Sequence, residues 1–588
     1  MRNTFLCCLL ASSGLLATAQ QQTTSPLWEY TELTDTKPID PIAWENMKTP
    51  TRLSWGSTDV RYSKTNVPKI KETKTWKGSG WKGERINAQA ILWSAAPLNK
   101  VSVSVSDLKG PGKNSIPASS IKTNLVKYVM TDELNKDGKG ACGHRPDKAQ
   151  WDSSLVADVL DIIKIQDVTA RTTQPIWMNI RIPETATPGT YTGELTVSSE
   201  GQEPMSLKIV LNVLNRTLPA PKDWSFHLDL WQNPYAVARY YNVPLWSKEH
   251  FDAMRPTMQT LADAGQKIIT TTLLHAPWGG QTEDTFGSMV TRIKKIDGSW
   301  AFDYAIFDKW VEFMMSLGID QQINCYSLIP WKLSFQYYDQ ATHTLKYVDA
   351  KPGETAYNDY WYDFLVSFAK HLKEKGWWEI TTIGMDERAL KDMQAAIAII
   401  KKADPEYKVS LAGNYHPEIE KDLYDYCLGF GHNFPEEVKA RREKEGKIST
   451  YYTCCAEPYP NTFTFSPTAE ATWIGWHAAA GNYDGYLRWA YNSWTIDPLR
   501  DSRFRTWAAG DCYLVYPNGR SSIRMERLIE GIQDYEKIRI LREEFEKNGA
   551  KGKLTKLNNI VNQFQADGLI NQTAAEMVNK GRAVLNSL

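Results

Sequence analysis

Residues 217–221 read Thr217-Leu218-Pro219-Ala220-Pro221, and the hydrophobic period of the chain changes across them. Two prolines in so short a stretch fix φ and make a stiff linker. On its amino-terminal side apolar residues recur at every second position: Val101, Val103, Val105; then Ile176, Met178, Ile180, Ile182; then Leu207, Ile209, Leu211, Val213. A period of two is the mark of strands with one buried face. Between these runs Thr187-Pro188-Gly189-Thr190-Tyr191-Thr192-Gly193 reads as a turn entering a strand, proline setting φ and glycine allowing the reversal. Residues 20–216 are therefore expected to form an antiparallel β-sandwich of immunoglobulin-like type.

Beyond the linker, short apolar runs alternate with helical periods. The runs fall at residues 226–231, 267–275, 322–329, 380–387, 408–413, 428–433, 448–454 and 485–492, eight in all. Between them lie helix-spaced sets such as Phe251, Met254, Met258, Leu261 ending at Gly265, and Phe307, Trp310, Val311, Met314, Leu317 ending at Gly318. Eight strands with intervening helices predict a (β/α)8 TIM-like barrel over residues 222–548. A helix starting at Ser522, with Met525, Leu528, Ile529 and Ile532 on one face, leads into a C-terminal helical tail at 549–588, to which only packing is assigned.

Composition narrows the partners. Lys plus Arg and Asp plus Glu both number 68, so no basic excess exists for a phosphate backbone or an anionic membrane surface. The 23 Trp and 28 Tyr suit a protein that lays flat aromatic faces against sugar rings, although core packing uses many of them. Arg2, an apolar run from Phe5 to Leu16 and the small-x-small triplet Ala17-Thr18-Ala19 read as a signal peptide of residues 1–19. An exported, periplasmic or secreted protein is expected; Cys7 and Cys8 raise lipoprotein anchoring as the lesser alternative. No later stretch reaches the ~18 apolar residues of a membrane span. Cys142, Cys325, Cys427, Cys454, Cys455 and Cys512 are thinly spread, and buried thiols are expected rather than a disulfide framework. Cys142-Gly143-His144 falls short of the ~4 ligands of a structural metal site, so neither metal nor cofactor is expected. The polar loop Thr131 to Arg145 only partly matches the spacing of a calcium loop.

In a barrel of this kind the reacting groups gather at the carboxyl ends of the strands. Those ends hold Trp231, His275, Tyr326 with Trp331, Asp386-Glu387, Asn414-Tyr415, His432-Asn433, Glu457, and residues 489–494. Two adjacent acids closing the otherwise apolar fourth strand, Ile380-Thr381-Thr382-Ile383-Gly384-Met385, are the informative item, and a solvated acidic loop is the plain alternative. Successive strand residues face opposite ways, so both acids reach one substrate only if the strand ends or bulges between them. Glycosidic cleavage needs a proton donor and a group that stabilises an oxocarbenium-like carbon. Either Glu387 is the acid/base while Asp386 holds a substrate 2-acetamido group that itself attacks, or Glu457 is the nucleophile opposite Glu387. A non-catalytic glycan-binding protein is a third reading.

Gly384-Met385-Asp386-Glu387, the strand Gly485-Tyr486-Leu487-Arg488-Trp489-Ala490-Tyr491-Asn492, and Ser522-Ile523-Arg524-Met525-Glu526 through Gly531-Ile532-Gln533-Asp534-Tyr535-Glu536 make the chain resemble glycoside hydrolase family 123. Family 20 hexosaminidases also use an Asp-Glu pair, but Thr382-Ile383-Gly384-Met385 does not match the His-x-Gly-Gly stretch that usually precedes theirs. The resemblance implies a retaining β-N-acetylgalactosaminidase acting on terminal N-acetylgalactosamine of glycans. Asp386 would then orient the acetamido N–H, and Glu387 would donate a proton and later activate water, a role that calls for a raised pKa. Tyr415 or Tyr491 is a candidate donor to the acetamido carbonyl. Trp489 and Trp494 are candidates for the floor or wall under the sugar, and His275 and Asn414 for its hydroxyls.

Overall fold

The computed structural model describes residues 29–132, 142 and 151–588. The leader, His144 and most of the loop between 131 and 145 lie outside the described residues. Two sheets face each other in the amino-terminal half. One has the order Thr51–Gly56, Arg85–Ser94, Thr172–Arg181, Ile121–Thr131, Ser154–Leu160; the other runs Thr75–Lys82, Met205–Thr217, Gly189–Ser198, Leu98–Val105, Ile165–Val168. Neighbours are antiparallel except Thr75–Lys82, which lies parallel to Met205–Thr217. The period-two residues Leu207, Ile209, Leu211 and Val213 are buried against Ile176, Met178 and Ile180, while Ser206 and Lys208 face out. Alternation in sequence has become one buried and one solvated face per strand.

Eight parallel strands follow: β1 His227–Leu230, β2 Ile268–Thr272, β3 Gln322–Tyr326, β4 Thr381–Asp386, β5 Lys408–Gly413, β6 Leu423–Gly429, β7 Ile448–Tyr452 and β8 Gly485–Arg488. They pair in the order β1-β8-β7-β6-β5-β4-β3-β2. The sixth begins earlier than the run at 428–433 suggests, because Asp425 belongs inside it, accepting from Gln322 Nε2 at 2.9 Å. Between β1 and β2 a single backbone bridge, Leu228 to Gln266, touches the seam, and buried amide side chains do the rest. Gln266 accepts from Leu230 N–H at 3.0 Å and donates to Ile268 O at 2.8 Å. Gln232 accepts from Thr270 N–H at 2.9 Å and donates to Leu230 O. Each amide offers the donor and acceptor that a missing ladder rung would have supplied.

Two features lie outside the sequence reading. The loops after β2 and β3 build a four-stranded sheet from Thr291–Lys294, Trp300–Asp303, Ser334–Asp339 and Thr344–Asp349, strands too short and too exposed to carry a clear period. The expectation of buried thiols is corrected at one pair: Cys142 and Cys455, 313 residues apart, form a disulfide. Cys325, Cys427 and Cys512 are buried free thiols, and Cys454 is half-buried. No helix among the described residues is long and apolar enough to cross a membrane.

The helix Ile523–Lys547, capped by Ser522 Oγ on Met525 N–H at 2.9 Å, ties the sandwich to the barrel through buried ion pairs. Arg524 meets Asp158 at 2.9 Å, Arg527 meets Asp59 at 2.7 Å, Glu526 pairs with Arg85 and Lys537 with Glu84. The tail helix Ala574–Leu585 adds Arg582, which reaches Glu530 at 3.0 Å and Asp534 at 2.6 Å. The Arg524 guanidinium also donates to the carbonyls of Thr462, Gly510 and Tyr513. Removing one partner of such a pair leaves a buried charge uncompensated. Arg524→Met is expected to cost about 3–5 kcal/mol in denaturant unfolding, against less than ~1 kcal/mol for the exposed pair of Lys100 with Glu200.

Candidate active site

β4 ends on Asp386, in register with Ala412 of β5, and there the chain leaves the ladder. Asp386 is largely covered, its side chain 16% exposed, and its Oδ2 accepts the Trp278 indole N–H at 2.8 Å. The Arg388 guanidinium lies 3.7 Å away, and the Trp331 indole stands on the same cavity wall. Burial pushes its pKa up to about 6 in spite of Arg388 and the two indoles, which favour the charged form.

Glu387 turns the other way, over the end of β5. Its Oε2 accepts the Asn414 backbone N–H at 3.1 Å, its Oε1 accepts Asn414 Nδ2 at 2.9 Å, and His416 Nε2 lies 3.0 Å from Oε1. Gly413 makes that position available: a Cβ there would stand 2.6 Å from Glu387 Cβ and 3.0 Å from its Oε2. His416 is itself placed by its backbone N–H, which donates to the Tyr426 hydroxyl at 2.8 Å.

The two carboxylates open into a cavity of about 280 Å3 at the carboxyl ends of the strands, walled chiefly by Trp231, Trp278, Trp331, Trp489, Trp507 and Tyr452. Four of the indole N–H groups donate within the protein: Trp278 to Asp386, Trp231 to Asp229 at 3.2 Å, Trp507 to the Gln281 carbonyl at 2.9 Å, and Trp489 to Asp511. Trp489 Nε1 lies 3.3 Å from Asp511 Oδ1, a carboxylate that also holds Arg488 at 2.7 Å. With these polar edges engaged, and Trp231 stacked on Trp278 at 4.9 Å, the aromatic wall of the cavity is largely apolar, as recognition of a sugar's C–H face requires.

Residues 231–541 match the model of the "Glycoside hydrolase 123, catalytic domain", and residues 55–199 match that of the "Glycoside hydrolase 123 N-terminal domain". The chain belongs to glycoside hydrolase family 123. A family 123 glycoside hydrolase from Clostridium perfringens, solved to show details of glycolipid glycan hydrolysis, superposes with a TM-score of 0.82 at 27% identity, covering 91% of this chain and 98% of that one. A family 39 glycoside hydrolase from Bacteroides cellulosilyticus WH2 gives 0.33 at 10% identity over 78% of this chain and 82% of its own. A Bacteroides ovatus xyloglucanase of family 5 gives 0.27 at 8% identity over 82% and 100%. Neither of these last two scores bears on the chemistry. No curated protein matches the chain.

In this family 123 enzyme Asp386, Glu387 and Trp489 line the cavity, and Asn414 grips Glu387 from beside it. The other sequence candidates stand elsewhere. Tyr491 is fully buried and donates to the Thr257 carbonyl at 2.8 Å; Trp494 is fully buried and donates to the Val515 carbonyl at 2.8 Å. β8 ends at Arg488, so strand alternation no longer orients either of them. Tyr415 packs on Tyr426 and Phe434, His275 is exposed outside the cavity lining, and Glu457 bends back to accept its own loop's Cys454 N–H at 2.7 Å. Trp278, Trp507 and His416 were missed; all lie in loops, where no period marks them. Gly413→Ala is expected to dislodge Glu387 and lower kcat by about 10²-fold, with the thermal midpoint within a few degrees of wild type. Steady-state kinetics beside a melting curve checks this.

Proposed function

We propose that this family 123 hydrolase removes terminal β-linked N-acetylgalactosamine from glycans, with retention, using the substrate's own 2-acetamido oxygen as nucleophile. That oxygen attacks the anomeric carbon while Glu387 protonates the departing glycosidic oxygen, and an oxazolinium-type ring forms. Glu387, now a base, takes a proton from water; the water oxygen bonds to the anomeric carbon, and the ring opens to regenerate the acetamide. Asp386 accepts the acetamido N–H and balances the positive charge that develops on nitrogen. The glycan class extended to this chain is that of the Clostridium relative, a glycolipid headgroup.

The observation that carries this reading is the pairing of two adjacent carboxylates in unlike settings. Asp386 is sunk among indoles, and Glu387 is held at the rim by Asn414 and His416. A double displacement through Glu457 finds less support, because that carboxylate serves its own loop and does not line the cavity. The Cys142–Cys455 disulfide supports export to an oxidising compartment, in keeping with the leader-like amino terminus.

Wild type is expected to cleave an aryl β-N-acetylgalactosaminide and leave the aryl β-galactoside untouched. Asp386→Asn and Glu387→Gln each lose about 10²–10⁴-fold in kcat. Cleavage of the plain galactoside with Asp386→Asn active would instead favour a protein nucleophile. The pH profile follows from burial: Asp386 must be charged, its pKa stands at about 6, and it is neutral below that. Accordingly kcat/KM should fall about tenfold per unit as pH drops below about 6, through protonation of the free enzyme.

A further inference from the structure

The Cys142–Cys455 disulfide reaches the catalytic cavity itself. Cys455 lies on the loop after β7 and is one of the residues lining the cavity, while Cys142 precedes the sandwich strand Ser154–Leu160 and so comes from the other half of the molecule. Cys142 touches the cavity wall a second time, through a backbone bridge to Trp507. Trp507 in turn meets Trp489 edge to face at 5.9 Å, and both rings line the cavity. Thus one residue of the amino-terminal half holds the β7 loop by a covalent bond and an aromatic wall by backbone pairing.

We propose that this disulfide is a positioning element for substrate: it fixes Cys455, Trp507 and, through Trp507, Trp489 as a preformed wall for the sugar. Loops after barrel strands are the mobile part of such a fold. A wall that must be ordered at the moment of binding weakens binding by the entropy of ordering it, which preformation removes. The neighbouring free thiol leaves the bond intact. Attack on a disulfide needs a thiolate, and burial pushes the Cys454 pKa up to about 12, so that thiol stays protonated at neutral pH. The loop is also anchored at its other end, where Asn461 Nδ2 donates to the carbonyls of Cys454 and Glu457 at 2.7 and 2.9 Å. Cutting the disulfide therefore frees the wall without unravelling the turn.

The inference rests on the cavity being the sugar site. Its test is the kinetics of the full chain on an aryl β-N-acetylgalactosaminide before and after reduction with a phosphine, alongside Cys142→Ala/Cys455→Ala, with thermal midpoints measured for each. Reduction is expected to raise KM about tenfold while kcat changes less than about twofold; the double variant should start at the raised KM and ignore the reductant. If the bond serves only as a staple between halves, the midpoint falls while KM, read well below it, stays at the oxidised value, and the inference is overturned. A fall in kcat at constant KM overturns it equally. Glu387→Gln separates this from a failure of the underlying reading: a wrongly assigned cavity leaves that variant active in either redox state, whereas a wrong inference leaves it inactive and the wild-type KM indifferent to reductant.

Discussion

Consecutive residues of a β-strand point to opposite faces, and Asp386 and Glu387, which line one cavity, have to escape that rule. The escape is the end of β4. Asp386 is the last residue in the ladder and turns in under Trp278; Glu387 is the first outside it and swings across β5. The swing is possible because residue 413 has no Cβ, and it is held because the next residue, Asn414, offers both a backbone and a side-chain donor. Much of the site follows from this placement. The indole of Trp278 holds one carboxylate, His416 supports the other, and both line the cavity.

The cavity is apolar on its faces and anchored at its edges by buried carboxylates. Desolvation raises Asp229 to about 7 and Asp511 to about 6, the same direction as Asp386. Holding carboxylates in such places costs stability, and the buried Arg488 guanidinium beside Asp511 offsets part of it. The return is that the indole N–H groups of Trp278, Trp231 and Trp489 are each met by a carboxylate. The helix Ile523–Lys547 plays the corresponding part for the whole molecule, its charged side chains paired across the boundary between sandwich and barrel.

The sandwich, the barrel and the place of Asp386 and Glu387 at a strand end were legible in sequence for a plain reason: apolar periods survive in single strands, and adjacent acids at the end of an apolar run stand out. β6 begins at Leu423 rather than at 428, and the buried Asp425 inside it is met by Gln322, a tertiary partner that no local period marks. Tyr491 and Trp494 lie beyond Arg488, where the strand stops, and both rings turn into the core. Trp278 and Trp507, the bond between cysteines 313 residues apart, and the role of Gly413 depend on tertiary proximity. No window of local sequence encodes that.

Participation of the acetamido group is the central claim, and a stable mimic of the cyclic intermediate probes it without turnover. Titration of N-acetylgalactosamine-thiazoline into wild type and Asp386→Asn by calorimetry at pH 7.5 is the direct measurement. The account predicts that wild type binds the thiazoline about 10²-fold or more tighter than N-acetylgalactosamine, as a transition-state-like ligand should, and that Asp386→Asn loses most of that margin. Equal affinity of wild type for the thiazoline and the free sugar would contradict it.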